Sequence, residues 1–186
     1  LFLFRRILED GHDTRFDKPK QSFFHFLQYW TGQAMWVSFT CIAVYVAMIS
    51  NEPNTLSPIS LIGVFIWIAG FIIEVIADGQ KRNFRKDLNN KGRYISTGLW
   101  SRSRTPNYFG EITLWTGVSL IALTSLNGIG YVALISPFFV YALLSKGSGI
   151  PLLERSADKR WGDELHYEEY KKNTPVLFPK LFNNIK

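Results

Sequence analysis

Long apolar runs constrain the fold of this chain more than any other feature, and LIGVFIWIAGFII at residues 61–73 is the clearest of them. A helix on the outside of a water-soluble bundle shows polar residues at a spacing of 3.6, and this run shows none. About 20 apolar residues cross the roughly 30 Å hydrocarbon layer of a bilayer. Four runs come near that length, namely 32–50, 58–77, 112–126 and 129–145. The sequence therefore predicts an all-α polytopic membrane helix bundle with four spanning helices and short cytoplasmic helices.

The basic residues give this bundle an orientation, because Lys and Arg accumulate in cytoplasmic loops. All 21 of them lie before the first predicted span, between the second and third, or after the fourth, and loops 51–58 and 126–128 contain none. We therefore expect the N-terminus, the middle loop and the tail to face the cytoplasm, across a bacterial inner membrane or the endoplasmic reticulum. Anionic headgroups then account for the net charge of +6, and we expect no nucleic-acid partner.

Cysteine and histidine argue against a metal or redox centre. Cys41 is the only cysteine and lies within the first predicted span, which excludes disulfides within the chain and Cys-type zinc sites. His12, His25 and His166 do not have metal-ligand spacing, so we expect no metal.

The first residues, LFLFRRILEDG, place an apolar fragment before two arginines. A signal peptide has the opposite order, so this segment fits the cytoplasmic end of another spanning helix. We expect a longer gene product, in which residues 1–186 form the C-terminal part of one membrane-embedded domain.

Charged residues line one face of the second predicted span and its continuation. At 100° per residue, Glu74, Asp78, Lys81, Arg82 and Arg85 share less than a third of the helix circumference. Glu74 lies inside the apolar run, where an ionisable group usually faces a bundle interior or a water-filled cavity. Ion pairs along the helix and snorkelling bases are the alternative. The shared face favours a functional site.

A second polar group begins the third predicted span, in SRSRTPNYFGE at residues 101–111. Pro106 is expected to start the helix. Its first turns would then carry Asn107, Tyr108 and Glu111. The unpaired N–H groups of a helix start, beside Arg102 and Arg104, suit a phosphate or another anion. A capped helix start whose bases face lipid headgroups explains the composition equally well.

The tail predicts two short helices, at 152–161 and 163–171. The first carries Glu154 and Asp158 at i,i+4, and the second carries Tyr167 and Tyr170 three residues apart. Tyrosines at that spacing share a face and could hydrogen-bond to or stack on a planar ligand, or simply pack in an interface. The chain has no GxGxxG or GxxxxGK[ST] motif, so a soluble nucleotide-binding fold is not indicated.

Three segments together resemble the steroid 5α-reductase family: ADGQKRNFR at 77–85, STGLWSRSRTPNYFGE at 96–111 and ERSADKRWGDELHYEEYKKNTPVLFP at 154–179. The resemblance extends over residues 5–178. A wider group includes sterol C14 and C24(28)-type reductases and, more remotely, the isoprenylcysteine carboxyl methyltransferases.

This resemblance implies a multi-pass membrane reductase that binds NADPH in a cytoplasm-facing cavity and reduces an activated C=C bond of a steroid-like or other lipophilic substrate. Lys81 and Arg85 would meet cofactor phosphate. The full set of cofactor-binding residues that it implies is Asp78, Lys81, Arg85, Trp100, Arg104, Asn107, Tyr108, Glu111, Glu154, Asp158, Tyr167 and Tyr170. The family commonly has His where Thr105 stands. Threonine keeps a hydrogen-bonding group but cannot carry charge, which puts any cofactor contact of this position in doubt.

The reaction also needs an acid that polarises the substrate ketone as negative charge develops. In the resembling enzymes this acid is a tyrosine on earlier helices, which would lie upstream of Leu1. We therefore assign no catalytic residue and expect these 186 residues alone to be inactive. Glu74 and Glu111 are possible proton donors, but a role in ordering the cofactor fits them better.

Two other functions remain open. A membrane methyltransferase using S-adenosylmethionine would share the helix-start site but need fewer phosphate-binding charges than Lys81 and Arg85 provide. A non-enzymatic membrane scaffold would leave the buried Glu74 and the clustered polar residues as an unexplained cost in stability.

Overall fold

The computed structural model describes residues 11, 17, 19–50, 57–147 and 149–180. These residues contain helices and loops and no β-strand, which confirms the all-α prediction. The α-helices are α1 (Phe23–Thr40), α2 (Ile42–Ile49), α3 (Pro58–Lys86), α4 (Pro106–Ala122), α5 (Ser136–Ala142), α6 (Ile150–Trp161) and α7 (Leu165–Asn173). The 3₁₀ turns are Pro19–Gln21, Leu88–Asn90, Gly98–Ser101, Leu123–Ser125 and Gly128–Ile135, and Leu143–Gly147 is a π-helical turn.

The chain divides into two compact units, Leu1–Phe39 and Thr40–Lys186. Large aromatic side chains on α1 in the first unit, such as Phe23, Phe24 and Trp30, are exposed, as suits a helix in contact with lipid. The second unit contains α2 to α7 and every predicted site residue.

Among the described residues, fewer helices than the four predicted are long and apolar enough to span a membrane. Within the described residues, two helical stretches are long and apolar enough to cross a bilayer, Pro58–Lys86 and Gly128–Trp161. A third is added if Phe23–Thr40 and Ile42–Ile49, which are interrupted at Cys41, count as one span. The third predicted span, 112–126, begins within α4 and extends past its end at Ala122, and α4 has only 17 residues. These helices indicate a membrane protein, but the predicted number of four spans is not confirmed.

Two helix starts follow the predicted proline signals. Ser57 caps α3, because its hydroxyl accepts the Ser60 N–H at 3.1 Å and the Ser60 hydroxyl accepts the Ser57 N–H at 2.9 Å. Pro58 and Pro106 are the first residues of α3 and α4. α3 continues for 29 residues to Lys86, so it carries the charged face beyond the apolar run.

The closest packing in the fold joins α3 to α4 through glycines. Gly63 lies against Gly117 and Gly70 against Gly110, so the two helices are antiparallel. A methyl group added to Gly63 would come within 2.8 Å of the Gly117 carbonyl oxygen, and one added to Gly110 within 2.7 Å of the Glu74 nitrogen. The helices therefore meet backbone to backbone, the kind of close approach that drives helix association in lipid.

A smaller apolar core lies at the C-terminal end of α4. It consists of the buried residues Ala43, Ala122, Leu126 and Ala133. The Ser136 hydroxyl donates a hydrogen bond to the Thr40 carbonyl nearby. This core packs α2 and the 3₁₀ stretch Gly128–Ile135 against the end of α4.

We predict that Gly70→Ala destabilises the protein by about 1–3 kcal/mol, because the added methyl would overlap the Gly110 carbonyl and the Leu114 backbone. Gly79→Ala is the matched control on the same helix, since a methyl there meets nothing within 4 Å. The control should be neutral or more stable by up to about 1 kcal/mol. Thermal unfolding in detergent measures both, and equal midpoints for the two variants would contradict the backbone contact.

Candidate functional site

A cavity at the charged end of α3 brings together residues from α3, the loop before α4, α6 and α7. Its lining includes seven of the predicted residues, Lys81, Arg85, Trp100, Arg104, Glu154, Tyr167 and Tyr170. It encloses about 160 Å³, less than the roughly 300–1,000 Å³ of pockets that enclose drug-sized ligands. This volume would accommodate only part of a ligand of that size.

The cavity lining is strongly basic. Its charged side chains are Lys81, Arg85, Arg93, Arg104, Arg160 and one acid, Glu154. Arg104 Nη1 donates to Glu154 Oε2 at 2.5 Å, so the acid is already paired. Within the described part of the chain, Arg104 Nε is buried and has no hydrogen-bond partner. The lining therefore offers positive charge and a buried donor to a ligand that carries oxygen acceptors.

Trp100 fastens the loop before α4 to α3. Its indole N–H donates to the Ala77 carbonyl at 3.0 Å, and Lys81 Nζ lies 4.7 Å from the centre of its ring. The adjacent Leu99 N–H donates to Gln80 Oε1 at 2.9 Å. Gly98 allows this approach, because its φ of +61° and its contact with the Gln80 side chain leave no room for a side chain.

Four aromatic side chains form one wall of the cavity. The Tyr94 ring centre lies 5.8 Å from that of Trp161, 5.0 Å from that of Tyr167 and 5.3 Å from that of Tyr170. The Tyr170 hydroxyl donates to the Trp100 carbonyl at 2.6 Å. Burial raises the pKa of Tyr167 to about 12 and also raises the pKa of Tyr170. Both phenols therefore stay protonated near neutral pH.

Sequence reasoning missed Tyr94, Trp161, Arg93 and Arg160 as parts of this cavity. Tyr94 and Arg93 lie in a loop without helical periodicity, and Trp161 is the last residue of α6. The only signal in the sequence was that basic and aromatic residues adjoin each other in GRY and KRW.

Four predicted residues are absent from the lining of this cavity and lie where α3 faces α4. They are Asp78, Asn107, Tyr108 and Glu111. Asn107 lies within hydrogen-bonding reach of the Asp78 carboxylate, and Glu111 is close enough to Glu74 and Asp78 for their charges to interact. Asn107 Oδ1 is buried and has no hydrogen-bond partner among the described residues.

Asp158 is also outside the cavity lining. Its Oδ1 accepts a hydrogen bond from Lys171 Nζ at 2.8 Å, which links α6 to α7. Thr105, the departure from the family pattern, does line the cavity, but its hydroxyl donates to the Val176 carbonyl at 2.6 Å. The described residues contain no group of three or more His, Cys, Asp or Glu arranged to hold a metal ion.

We predict that Tyr170→Phe lowers stability by about 1–3 kcal/mol, because the buried Trp100 carbonyl loses its donor while the ring packing remains. Tyr131→Phe is the control, since that residue is 51% exposed and does not line the cavity. It should change stability by less than about 0.5 kcal/mol. Thermal unfolding followed by tryptophan fluorescence compares them, and the same midpoint in both variants would rule out a stabilising role for the Tyr170 hydroxyl.

A family model described as "Protein of unknown function (DUF1295)" matches residues 1–174. The 3-oxo-5-alpha-steroid 4-dehydrogenase 1 of Macaca fascicularis is 33% identical over 125 residues, or 67% of this chain and 42% of that protein. The Homo sapiens protein of the same name is 30% identical over 67% and 43%. "Probable O-methyltransferase ustE" of Ustilaginoidea virens is 31% identical over 66% and 41%.

No solved structure matches the chain. It spans about two fifths of the length of the curated relatives that it matches. The family match covers nearly all of the residues, and most of the curated matches are steroid dehydrogenases of one name. The chain therefore belongs to the DUF1295 family and is a steroid 5α-reductase-like membrane protein.

Proposed function

We propose that this chain forms the NADPH-binding part of a membrane oxidoreductase, which reduces the activated C=C bond of a steroid-like or other lipophilic enone. The observation that carries the proposal is a cavity that combines five basic side chains with an aromatic wall. Arg and Lys recognise phosphate oxygens, and aromatic faces receive planar rings. NADPH presents both kinds of group.

The side chains of the cavity are of the types that bind the phosphates and planar rings of such a cofactor. Lys81 and Arg85 would hold phosphate, and Arg104 would add its buried Nε–H, which has no partner in the described part of the chain. Tyr167 and Tyr170 would contact a planar part of the cofactor. Trp100 would keep Lys81 in place through its ring.

The remaining predicted residues keep supporting roles in the proposal. Asp78, Asn107, Tyr108 and Glu111 would order the cofactor from the α3–α4 contact, where Asn107 Oδ1 is available as an acceptor. Asp158 would act indirectly, because its bond to Lys171 fixes α6 against α7.

NADPH supplies the hydride when it is bound. The residues of this chain would bind it, orient it and leave its reactive end accessible to a substrate dissolved in the bilayer. In the resembling reductases, the acid that polarises the ketone comes from earlier helices, so we assign no catalytic residue here. We also propose a multi-pass topology with the cavity facing the cytoplasm, which the eight basic residues between 81 and 104 support.

A methyltransferase that uses S-adenosylmethionine is the second candidate, because one relative is named as an O-methyltransferase. S-adenosylmethionine carries no phosphate, so the predominantly basic lining of the cavity would have no phosphate to bind. This charge balance favours NADPH.

We predict that Arg85→Ala in the full-length protein weakens NADPH binding about 10-fold or more, the loss expected for one charge-assisted hydrogen bond. Titration of the nicotinamide fluorescence of NADPH with detergent-purified protein measures the affinity. Arg155→Ala is the matched control, since Arg155 is exposed on α6, does not line the cavity and carries the same charge. It should change the affinity less than twofold.

The same titration with NADH, together with a calorimetric titration with S-adenosylmethionine, separates the candidates. A reductase should bind NADPH, whereas binding of S-adenosylmethionine without NADPH would favour the methyltransferase. Unchanged NADPH affinity in Arg85→Ala would contradict the proposal that the basic cavity binds NADPH. If the protein bound neither NADPH nor S-adenosylmethionine, a non-enzymatic scaffold would be favoured.

A further inference from the structure

A segment after α7 runs along the loop that carries Arg104. We call residues 174–180 the C-terminal strap and residues 102–105 the Arg104 loop. Two backbone hydrogen bonds join them, from Arg104 N–H to Pro175 O at 2.9 Å and from Lys180 N–H to Arg102 O at 3.0 Å. The family match ends at residue 174, so almost all of the strap lies beyond it.

Two buried hydroxyl groups also join the C-terminal strap to the Arg104 loop, and we call this set of hydrogen bonds the junction. Ser103 and Thr105 are 0% and 1% exposed. Thr105 Oγ1 donates to the Val176 carbonyl at 2.6 Å, and Ser103 Oγ donates to the Leu177 carbonyl at 2.9 Å. The acceptors are backbone carbonyls, which every residue type provides. The sequence-specific part of the junction is therefore the pair of hydroxyls in the Arg104 loop.

Thr105 does not use its hydroxyl as its position would suggest. It immediately precedes Pro106 and occupies the N-cap position of α4, where a threonine hydroxyl usually accepts an N–H of its own helix. Here it makes no such bond and donates to the strap instead. Ser103 Oγ in turn accepts the Thr105 N–H at 3.2 Å. The hydroxyls therefore serve the loop and the strap rather than the helix start.

Arg104 lies between Ser103 and Thr105, the two residues whose hydroxyls bind the strap. Its own N–H is bound by the strap, while its side chain lines the cavity and reaches Glu154. Phe178 of the strap also packs edge-to-face on Phe109 of α4, with ring centres 6.2 Å apart. The backbone from which the Arg104 side chain projects is thus held on both sides and tied to α4.

We propose that the C-terminal strap presents Arg104 to an anionic ligand in the cavity, and that Ser103 and Thr105 are positioning residues for this ligand. Loss of either hydroxyl would loosen the Arg104 loop, and the guanidinium would then bind phosphate less well because it must first be ordered. This inference rests on the proposed function for the identity of the ligand, NADPH.

The test compares Thr105→Val with Thr105→Ser in the full-length protein in detergent. The first replaces the hydroxyl by a methyl group at nearly constant volume, and the second retains the hydroxyl. We expect NADPH affinity to fall about five-fold in Thr105→Val and to stay within about twofold of wild type in Thr105→Ser. Ser103→Ala should repeat the loss if Thr105→Val fails to fold.

A double-mutant cycle distinguishes positioning from general destabilisation. If Thr105 acts through Arg104, Thr105→Val should cause no further loss of affinity when Arg104 is already replaced by Gln. Losses that add in the double variant, or equal affinities of Thr105→Val and wild type, would overturn the proposal.

Amide hydrogen exchange measures, without any cofactor, how firmly the strap holds the Arg104 loop. The Arg104 and Lys180 amides should exchange faster in Thr105→Val than in wild type or Thr105→Ser, because both donate across the junction. Unchanged exchange would show that the hydroxyl does not hold the loop. If wild type does not bind NADPH while the exchange rates change as expected, the proposed function is wrong and the strap's hold on Arg104 is confirmed.

Discussion

The backbone contact between α3 and α4 is the interaction on which the rest of the structure depends. In a bilayer, lipid tails are as apolar as Leu, so helices gain little from hiding apolar side chains from one another. Gly63, Gly70, Gly110 and Gly117 replace that missing force with close packing of two antiparallel backbones. The same contact brings the Glu74 backbone against Gly110, and therefore places Glu74 and Asp78 of α3 near Glu111 of α4. There the Asp78 carboxylate lies within hydrogen-bonding reach of Asn107, so one costly acid has a partner within the protein.

The cavity follows from contacts that extend outward from this pair of helices. Trp100 binds the Ala77 carbonyl of α3, and Tyr170 of α7 binds the Trp100 carbonyl. Glu154 of α6 reaches Arg104 just before α4. Each of these bonds joins segments far apart in the sequence, so the basic and aromatic lining exists only once the tail has docked. This arrangement is how a chain without a soluble nucleotide-binding fold could form the phosphate site that we propose.

Local signals predicted much of the helical framework. Pro58 and Pro106 start their helices for reasons within a few residues of sequence, and Ser57 caps the first of them. The tail helices were also expected, as was the common face of Tyr167 and Tyr170, whose ring centres lie 6.4 Å apart. Interruptions were harder to foresee. The break at Cys41 and the 3₁₀ and π turns around α5 depend on packing that a hydropathy pattern does not contain.

By itself the sequence determined an all-α membrane protein, the faces on which its charges lie and the family to which it belongs, because these depend on composition, periodicity and local motifs. Only the tertiary structure decided which charged and aromatic residues share a cavity. It separated Asp78 and Glu111 from the lining, added Tyr94 and Trp161, and gave the Thr105 hydroxyl to the C-terminal strap. The physical reason is that a cavity wall is made by side chains from distant segments, and their meeting depends on how closely the glycines let α3 and α4 approach.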